Sequence, residues 1–192
     1  MDVVLVHPEI PHNSGCAARL CAATGATLHL VRPLGFTLED RYLKRAGLDY
    51  WPDVDMVVHD DWSALETGLG RNANTPFAER LRLFSARGGT SLFDTPFARD
   101  DILVFGSETK GLPASVFAEE ARGARRVYIP IRDCVRSLNL ANVVCLALYT
   151  AMHRAGVPMP DNDGNYVAKE RALKVRPGEI ARPSHPPENG SL

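Results

Sequence analysis

The chain has 192 residues, 45% of them hydrophobic, and a formal net charge of −1. That is enough apolar material for one well-buried domain and too little for two. A near-neutral charge gives no global pull on polyanions, so any nucleic acid must meet a local basic patch or patches joined across subunits. No apolar run approaches the roughly 20 residues that cross a bilayer, and Met1-Asp2-Val3-Val4 lacks the parts of a secretory signal, so the expected location is the cytoplasm with no membrane partner. Cys16, Cys21, Cys134 and Cys145 form no CxxC pair, which favours reduced, mostly buried thiols over a metal site.

In chain order, Val3 to Val6 is a continuous apolar run of the kind found in a central parallel strand, ending at His7-Pro8. A helix of small residues follows, with Asn13 or Ser14 as the expected cap and Gly25 as the stop; its free amides suit an anion, and Arg19 lies about one turn in. Thr27 to Val31 reads as a second strand. Residues 38–47 then read as a helix whose Arg41, Lys44 and Arg45 share one face, a candidate phosphate-binding patch followed by Tyr50 and Trp51 as stacking surfaces. Val57-Val58 is a short strand, and Trp62 to Leu69 a helix.

Leu81 to Ser85 and Ile102 to Phe105 are the next strands. The first runs into Ala86-Arg87-Gly88-Gly89. The second runs into Gly106-Ser107-Glu108-Thr109-Lys110-Gly111-Leu112-Pro113, where Gly106 opens a strand edge, Gly111 permits a sharp turn and Pro113 suits a first helical turn. Tyr128 to Ile131 reads as a last strand stopped by proline, then a charged loop over 132–136, then a helix capped by Ser137 with Leu140, Val143, Val144, Ala147, Leu148 and Ala151 on its apolar face. This alternation predicts an α/β fold, an open and mostly parallel sheet with helices on both faces, and ligand loops after residues 85, 105 and 131. GxGxxG, GxxxxGK[ST] and GxSxG are all absent, and no His pairs with a Ser or Cys at a hydrolase spacing.

Three segments together resemble the SpoU branch of the SPOUT methyltransferases. They are Pro11 to Gly15 with Arg19, Phe105 to Pro113, and Ile129 to Ile131 with Arg136 to Asn142. Arg45 to Trp51 narrows the likeness to the small tRNA 2′-O-methyltransferases that act on the wobble nucleotide. The resemblance implies a C-terminal deep trefoil knot, a homodimer that assembles each active site, S-adenosylmethionine as cofactor and a tRNA anticodon stem-loop as substrate.

The same likeness assigns the cofactor to Ala86, Gly106, Glu108, Gly111, Ile129, Ser137 and Leu138, and the reaction to Arg19, Asn13, Ser137, Asn139 and Tyr149. RNA contacts fall to Arg41, Lys44, Arg45 and Lys110. Transfer of a methyl group from a sulfonium to a hydroxyl requires no metal. Arg19 stays charged and is a poor general base, so its expected work is to hold a phosphate or a developing alkoxide. The implied alternatives are 2′-O-methylation at another RNA position and a non-catalytic RNA-binding protein of the same fold.

Cys16 departs from the family pattern, where an asparagine is usual, and residues 71–78 look like an added loop. The likeness covers residues 2–157, which sets a domain over 1–157. The tail over 158–192, with six prolines and the cations Lys169, Arg171, Lys174, Arg176 and Arg182, is expected to be flexible.

Overall fold

A computed structural model describes residues 1–38, 54–70, 74–86, 88–117 and 125–161. The candidate cations Arg41, Lys44 and Arg45, with Tyr50, Trp51 and the 162–192 part of the tail, lie outside these residues. The described chain forms β1 (Asp2–Val6), α1 (Pro11–Thr24), β2 (Thr27–Val31), β3 (Met56–His59), α2 (Trp62–Gly70) and a short α3 (Phe77–Arg80). There follow β4 (Leu81–Phe84), β5 (Thr90–Ser91), β6 (Ile102–Phe105), a 3-10 turn (Ala114–Phe117), β7 (Arg126–Tyr128) and α4 (Leu140–Arg154).

The strands make one sheet in the order β3-β2-β1-β6-β4-β7-β5, and every registered pair is parallel. Alternation along each strand divides the core in two. Val3 and Leu5 of β1 with Leu103 and Phe105 of β6 pack under α1 and α4, against Ala17, Ala18, Cys21, Val144, Ala147, Leu148 and Ala151. Val4, Val6, Ile102 and Val104 face the other way, onto Leu65 of α2, Phe77 and Val116. Strands covered on both faces need apolar side chains at every position, which is why the runs 3–6 and 102–105 are unbroken. Small residues in α1 let α4 approach closely, and burial pushes the Cys21 thiol up to about 12.

Several boundaries differ from the sequence reading. Proline occupies the first helical position of α1, so the helix begins at Pro11 and takes Asn13 and Ser14, both buried, into its first turns. The last strand stops at Tyr128, before the 129–131 segment turns away to line a cavity. Its helix is capped by Asn139 and not by Ser137, because the Asn139 Oδ1 accepts from the amides of Ala141 at 2.9 Å and Asn142 at 3.3 Å. Phe77 is buried and meets Trp62 edge-on, so it belongs to the core, and Ala78 follows it in α3 rather than in an added loop. Two thiols expected inside, Cys134 and Cys145, are exposed.

The order of the strands positions the site. After β3 the chain returns to the opposite side of β1, so a switch point lies between β1 and β6. Farther along, β7 lies between β4 and β5, which are joined only by residues 85–89. Parallel strands are ordinarily joined by a dozen or more residues. This short crossing runs so close to β7 that a Cβ on Gly89 would stand 2.4 Å from the Arg126 carbonyl oxygen, with Gly89 at φ +106°.

Candidate active site

A cavity of about 560 Å³ opens beyond the carboxyl ends of β4, β6 and β7, with the start of α1 closing one side. Its floor is apolar: the Phe84 and Phe105 rings stack with centroids 4.5 Å apart. The loop after β6 forms one wall. Ser107 and Gly111 exchange backbone hydrogen bonds at 3.1 and 2.9 Å, Gly111 takes φ +69°, and a Cβ on Gly106 would lie 2.0 Å from the Gly111 carbonyl carbon. Glycine at both positions is therefore what lets the loop fold back on itself.

A chain of polar side chains ties the start of α1, the loop after β6 and the start of α4 together. The Glu108 carboxylate accepts from the amides of Glu9 at 2.8 Å and Ile10 at 3.2 Å, and from Asn13 Nδ2 at 2.9 Å. Asn13 Oδ1 in turn accepts from Asn139 Nδ2 at 3.0 Å. Both amide orientations follow from chemistry: a carboxylate only accepts, so Asn13 presents its NH₂ to Glu108 and its oxygen to Asn139. Asn139 must then offer its own NH₂ to Asn13, and its oxygen is left to cap α4. Residues 13, 108 and 139 thus form one directional network, with Asn13 only 3% exposed.

Of the residues singled out from the sequence, Ala86, Gly106, Glu108, Gly111, Ile129, Ser137 and Leu138 all line the cavity, as do Asn13, Asn139 and Lys110. Arg19 and Tyr149 do not. Arg19 is exposed on α1, and Tyr149 is 39% exposed on α4, next to exposed Leu146 and Cys145. The apolar face of α4, with Leu140, Val144, Ala147, Leu148 and Ala151, is buried in the chain's own core.

The structure adds Arg136, Phe117 and Ile131 to the lining. Arg136, Lys110 and the neighbouring Arg132 are exposed and have no ion pair among the described residues, whereas Arg80 and Arg82 are both paired. Arg136 belongs to the 136–142 segment of the resemblance, but nothing in its spacing distinguishes a cavity cation from a solvated one.

The profile of the SpoU rRNA methylase family matches residues 1–149. The tRNA (cytidine(34)-2′-O)-methyltransferase of Burkholderia cenocepacia (strain HI2424) is 47% identical over 155 residues, which span 81% of this chain and 96% of that protein. The enzyme of the same name from Yersinia pestis is 38% identical over 158 residues, 82% and 96% of the two chains. A solved structure described as giving insights into the 2-OH methylation of C/U34 on tRNA superposes with a TM-score of 0.72 at 46% identity, covering 81% of this chain and 95% of that one. The SpoU methyltransferase AviRb from Streptomyces viridochromogenes, solved with AdoMet, shares the fold with a TM-score of 0.68 at 24% identity, over 80% of this chain and 60% of its own. A profile match that runs through all three loops around the cavity, and relatives close to half identical along nearly their whole length, place this chain in the SpoU rRNA methylase family.

Proposed function

We propose that the protein transfers a methyl group from S-adenosylmethionine to the ribose 2′-hydroxyl of the wobble nucleotide of a tRNA anticodon. The observation that carries this reading is the cavity itself, all of whose lining residues fall within the 1–149 match to the family, in a chain 47% identical to a tRNA (cytidine(34)-2′-O)-methyltransferase. Its size falls in the range of cofactor pockets, roughly 300–1,000 Å³. The donor set also fits. Stacked Phe84 and Phe105 with Ile129, Ile131 and Leu138 supply an apolar bed, and the main chain of the 85–86, 106–111 and 137–138 loops supplies amides and carbonyls for a purine edge. Bound there, S-adenosylmethionine supplies a methyl group already activated on a positively charged sulfur.

The chain's own residues then have separable work. Ala86, Gly106, Gly111, Ile129, Ser137 and Leu138 form the cofactor wall, and Glu108 holds that wall to α1. Asn13 and Asn139 hold the acceptor side in register, so that positioning supplies much of the acceleration. Arg19, permanently charged, binds the neighbouring phosphate or the developing alkoxide. Lys110, Arg132 and Arg136 ring the mouth as uncompensated cations suited to the RNA backbone.

Arg19 and Tyr149 stand outside their own cavity. Both fit a homodimer in which the exposed surface of α1 and α4, carrying Arg19, Leu146 and Tyr149, meets a second copy and completes the partner's site. The knot of the family fits here too: β7 lies between β4 and β5 under the 85–89 crossing, the arrangement that threading would leave. The catalytic unit spans 1–157, since Val157 packs against the core and donates its amide to Met152 at 2.9 Å. The residues beyond form an appended tail, and the protein works in the cytoplasm with its tRNA. No described helix is long and apolar enough to cross a membrane.

The test is incubation of the full chain with S-adenosylmethionine and unmodified tRNA, followed by nucleoside mass spectrometry. The expected product is 2′-O-methylation at the wobble position. Methylation elsewhere, or cofactor binding without transfer, would replace this reading. Near-normal turnover by Arg19→Ala on saturating tRNA would remove the role given to Arg19.

A further inference from the structure

The Glu108 bonds described above have a counterpart running the opposite way. Glu9 reaches across to Thr109, accepting from the Thr109 amide at 3.2 Å through Oε2 and from its hydroxyl at 2.7 Å through Oε1. Two adjacent residues after β6 and two adjacent residues after β1 thus exchange carboxylates: Glu108 takes the amides of Glu9 and Ile10, and Glu9 takes both donors of Thr109.

Glu9 does not line the cavity, but Thr109 does, together with Glu108 and Lys110 on either side of it. Glu9 is also backed from behind. The Gly35 amide donates to the Pro8 carbonyl at 2.9 Å, and a Cβ at Gly35 would stand only 2.7 Å from Glu9 Cα. A side chain gripping Thr109 from a backbone so closely packed has little room to follow the loop if the loop moves.

From this we infer that Glu9 is a positioning residue for the cofactor: through Thr109 it holds the 106–111 wall in its binding shape before any ligand arrives. The reasoning is energetic. A loop that must be ordered on binding subtracts that cost from the affinity, and one ordered beforehand does not. Charge-assisted bonds to both donors of one residue restrain its backbone and its side chain together. This inference rests on the reading of the cavity as the cofactor site.

The test uses the full chain with Glu9→Gln, Thr109→Val, the double variant and Thr109→Ser. It reads the S-adenosylmethionine dissociation constant by calorimetry, the melting temperature, and amide hydrogen exchange of residues 106–111 without cofactor. Glu9→Gln removes the charge that strengthens both bonds, leaving one neutral acceptor for the Thr109 amide and an NH₂ that can only donate to the Thr109 hydroxyl. Thr109→Val removes the hydroxyl and keeps the branched shape.

Each is expected to weaken cofactor binding about tenfold, with the melting temperature within a few degrees of wild type and faster exchange in the loop. The double variant is expected to be no weaker than either single one, and Thr109→Ser to bind like wild type. Unchanged affinity in Glu9→Gln and Thr109→Val, fully additive losses, or a fall in melting temperature with unchanged exchange would overturn the inference. Should the wild type itself not bind S-adenosylmethionine, the cofactor reading fails, while the exchange measurement still decides whether Glu9 holds the loop.

Discussion

Replacing Asn139 by alanine removes two interactions at once. The first is the cap on α4, whose loss to alanine costs about 1 kcal/mol. The second is the Nδ2 bond to Asn13 Oδ1, and because Asn13 is buried its oxygen is left without a donor, at about 1–3 kcal/mol. Asn139→Ala should therefore cost about 2–4 kcal/mol, read as a shift of the urea midpoint at fixed protein concentration with little change in slope. Two further variants divide that sum. Asn139→Ser keeps a capping oxygen and loses only the bond to Asn13, so it should recover about 1 kcal/mol. Asn139→Asp keeps the cap and adds a favourable charge at a helix N-terminus, yet it sets an oxygen against Asn13 Oδ1. Asn13 cannot turn over in response, because its oxygen would then face the Glu108 carboxylate. The better cap should therefore make the less stable protein: aspartate below serine. An Asn139→Asp protein as stable as wild type, or an alanine variant losing less than about 0.5 kcal/mol, would refute the directional network.

Three further outcomes are expected. Gly89→Ala adds a Cβ 2.4 Å from the Arg126 oxygen at φ +106°, whereas Gly88→Ala, at φ +77°, meets nothing within 4 Å; both pay about 1–3 kcal/mol of backbone strain, but only Gly89→Ala also forces the crossing off β7. Equal melting temperatures for the two would contradict that crossing. Burial, with the neighbouring His29, lowers His59 to about 4 from its usual 6.5, so the folded protein holds the neutral ring. Its contribution is complete above pH 6.5 and is lost as pH falls towards 4, on the order of 2–3 kcal/mol; urea titrations across that range should show the fall in wild type and a shallower one in His59→Gln. Finally, Lys110→Ala and Arg136→Ala should each weaken binding of an anticodon stem-loop and reduce the slope of log affinity against log salt by about 0.7–0.9. An unchanged slope would mean that these cations meet no phosphate.

β1 and β6 were legible because residues 3–6 and 102–105 are apolar runs closed by His7-Pro8 and Gly106, and β2 and β4 because apolar residues flank one buried polar side chain in each, His29 and Arg82. The loops were legible for a related reason, since Gly106 and Gly111 mark backbone that other residues resist. β5 was not, as Thr90–Ser91 has neither length nor apolar character and exists only as a partner for β7. Nor could the insertion of β6 between β1 and β4 be read, because spatial order leaves no mark in local periodicity. The cap was misplaced by two residues for a physical reason: Ser137 and Asn139 both suit a helix start, and the choice between them is made by Asn13, distant in sequence. Resemblance supplied the site residues, but the bonds joining positions 13, 108 and 139 needed coordinates.

The distribution of charge over the two ends of the sheet explains why stability and binding can be changed separately. At the amino ends, arginines are consumed by the fold. Arg80 donates to the carbonyls of Asp100 at 2.8 Å and Leu69 at 3.0 Å and to Asp2 at 3.2 Å, and Arg82 pairs with buried Asp101 at 2.9 Å. Removing one partner of such a buried pair costs about 3–5 kcal/mol, since the other charge stays behind without compensation. At the carboxyl ends the carboxylates of Glu9 and Glu108 are consumed by loop amides, a side-chain amide and a hydroxyl, while Lys110, Arg132 and Arg136 are left without acidic partners among the described residues. The positive charge around the mouth therefore survives folding, and it does so because the nearby negative charge has been turned inward to order the loops. That is how a chain with a net charge of −1 keeps a cationic rim at the mouth of the cavity: the carboxylates of Glu9 and Glu108, which could offset that rim, build its wall.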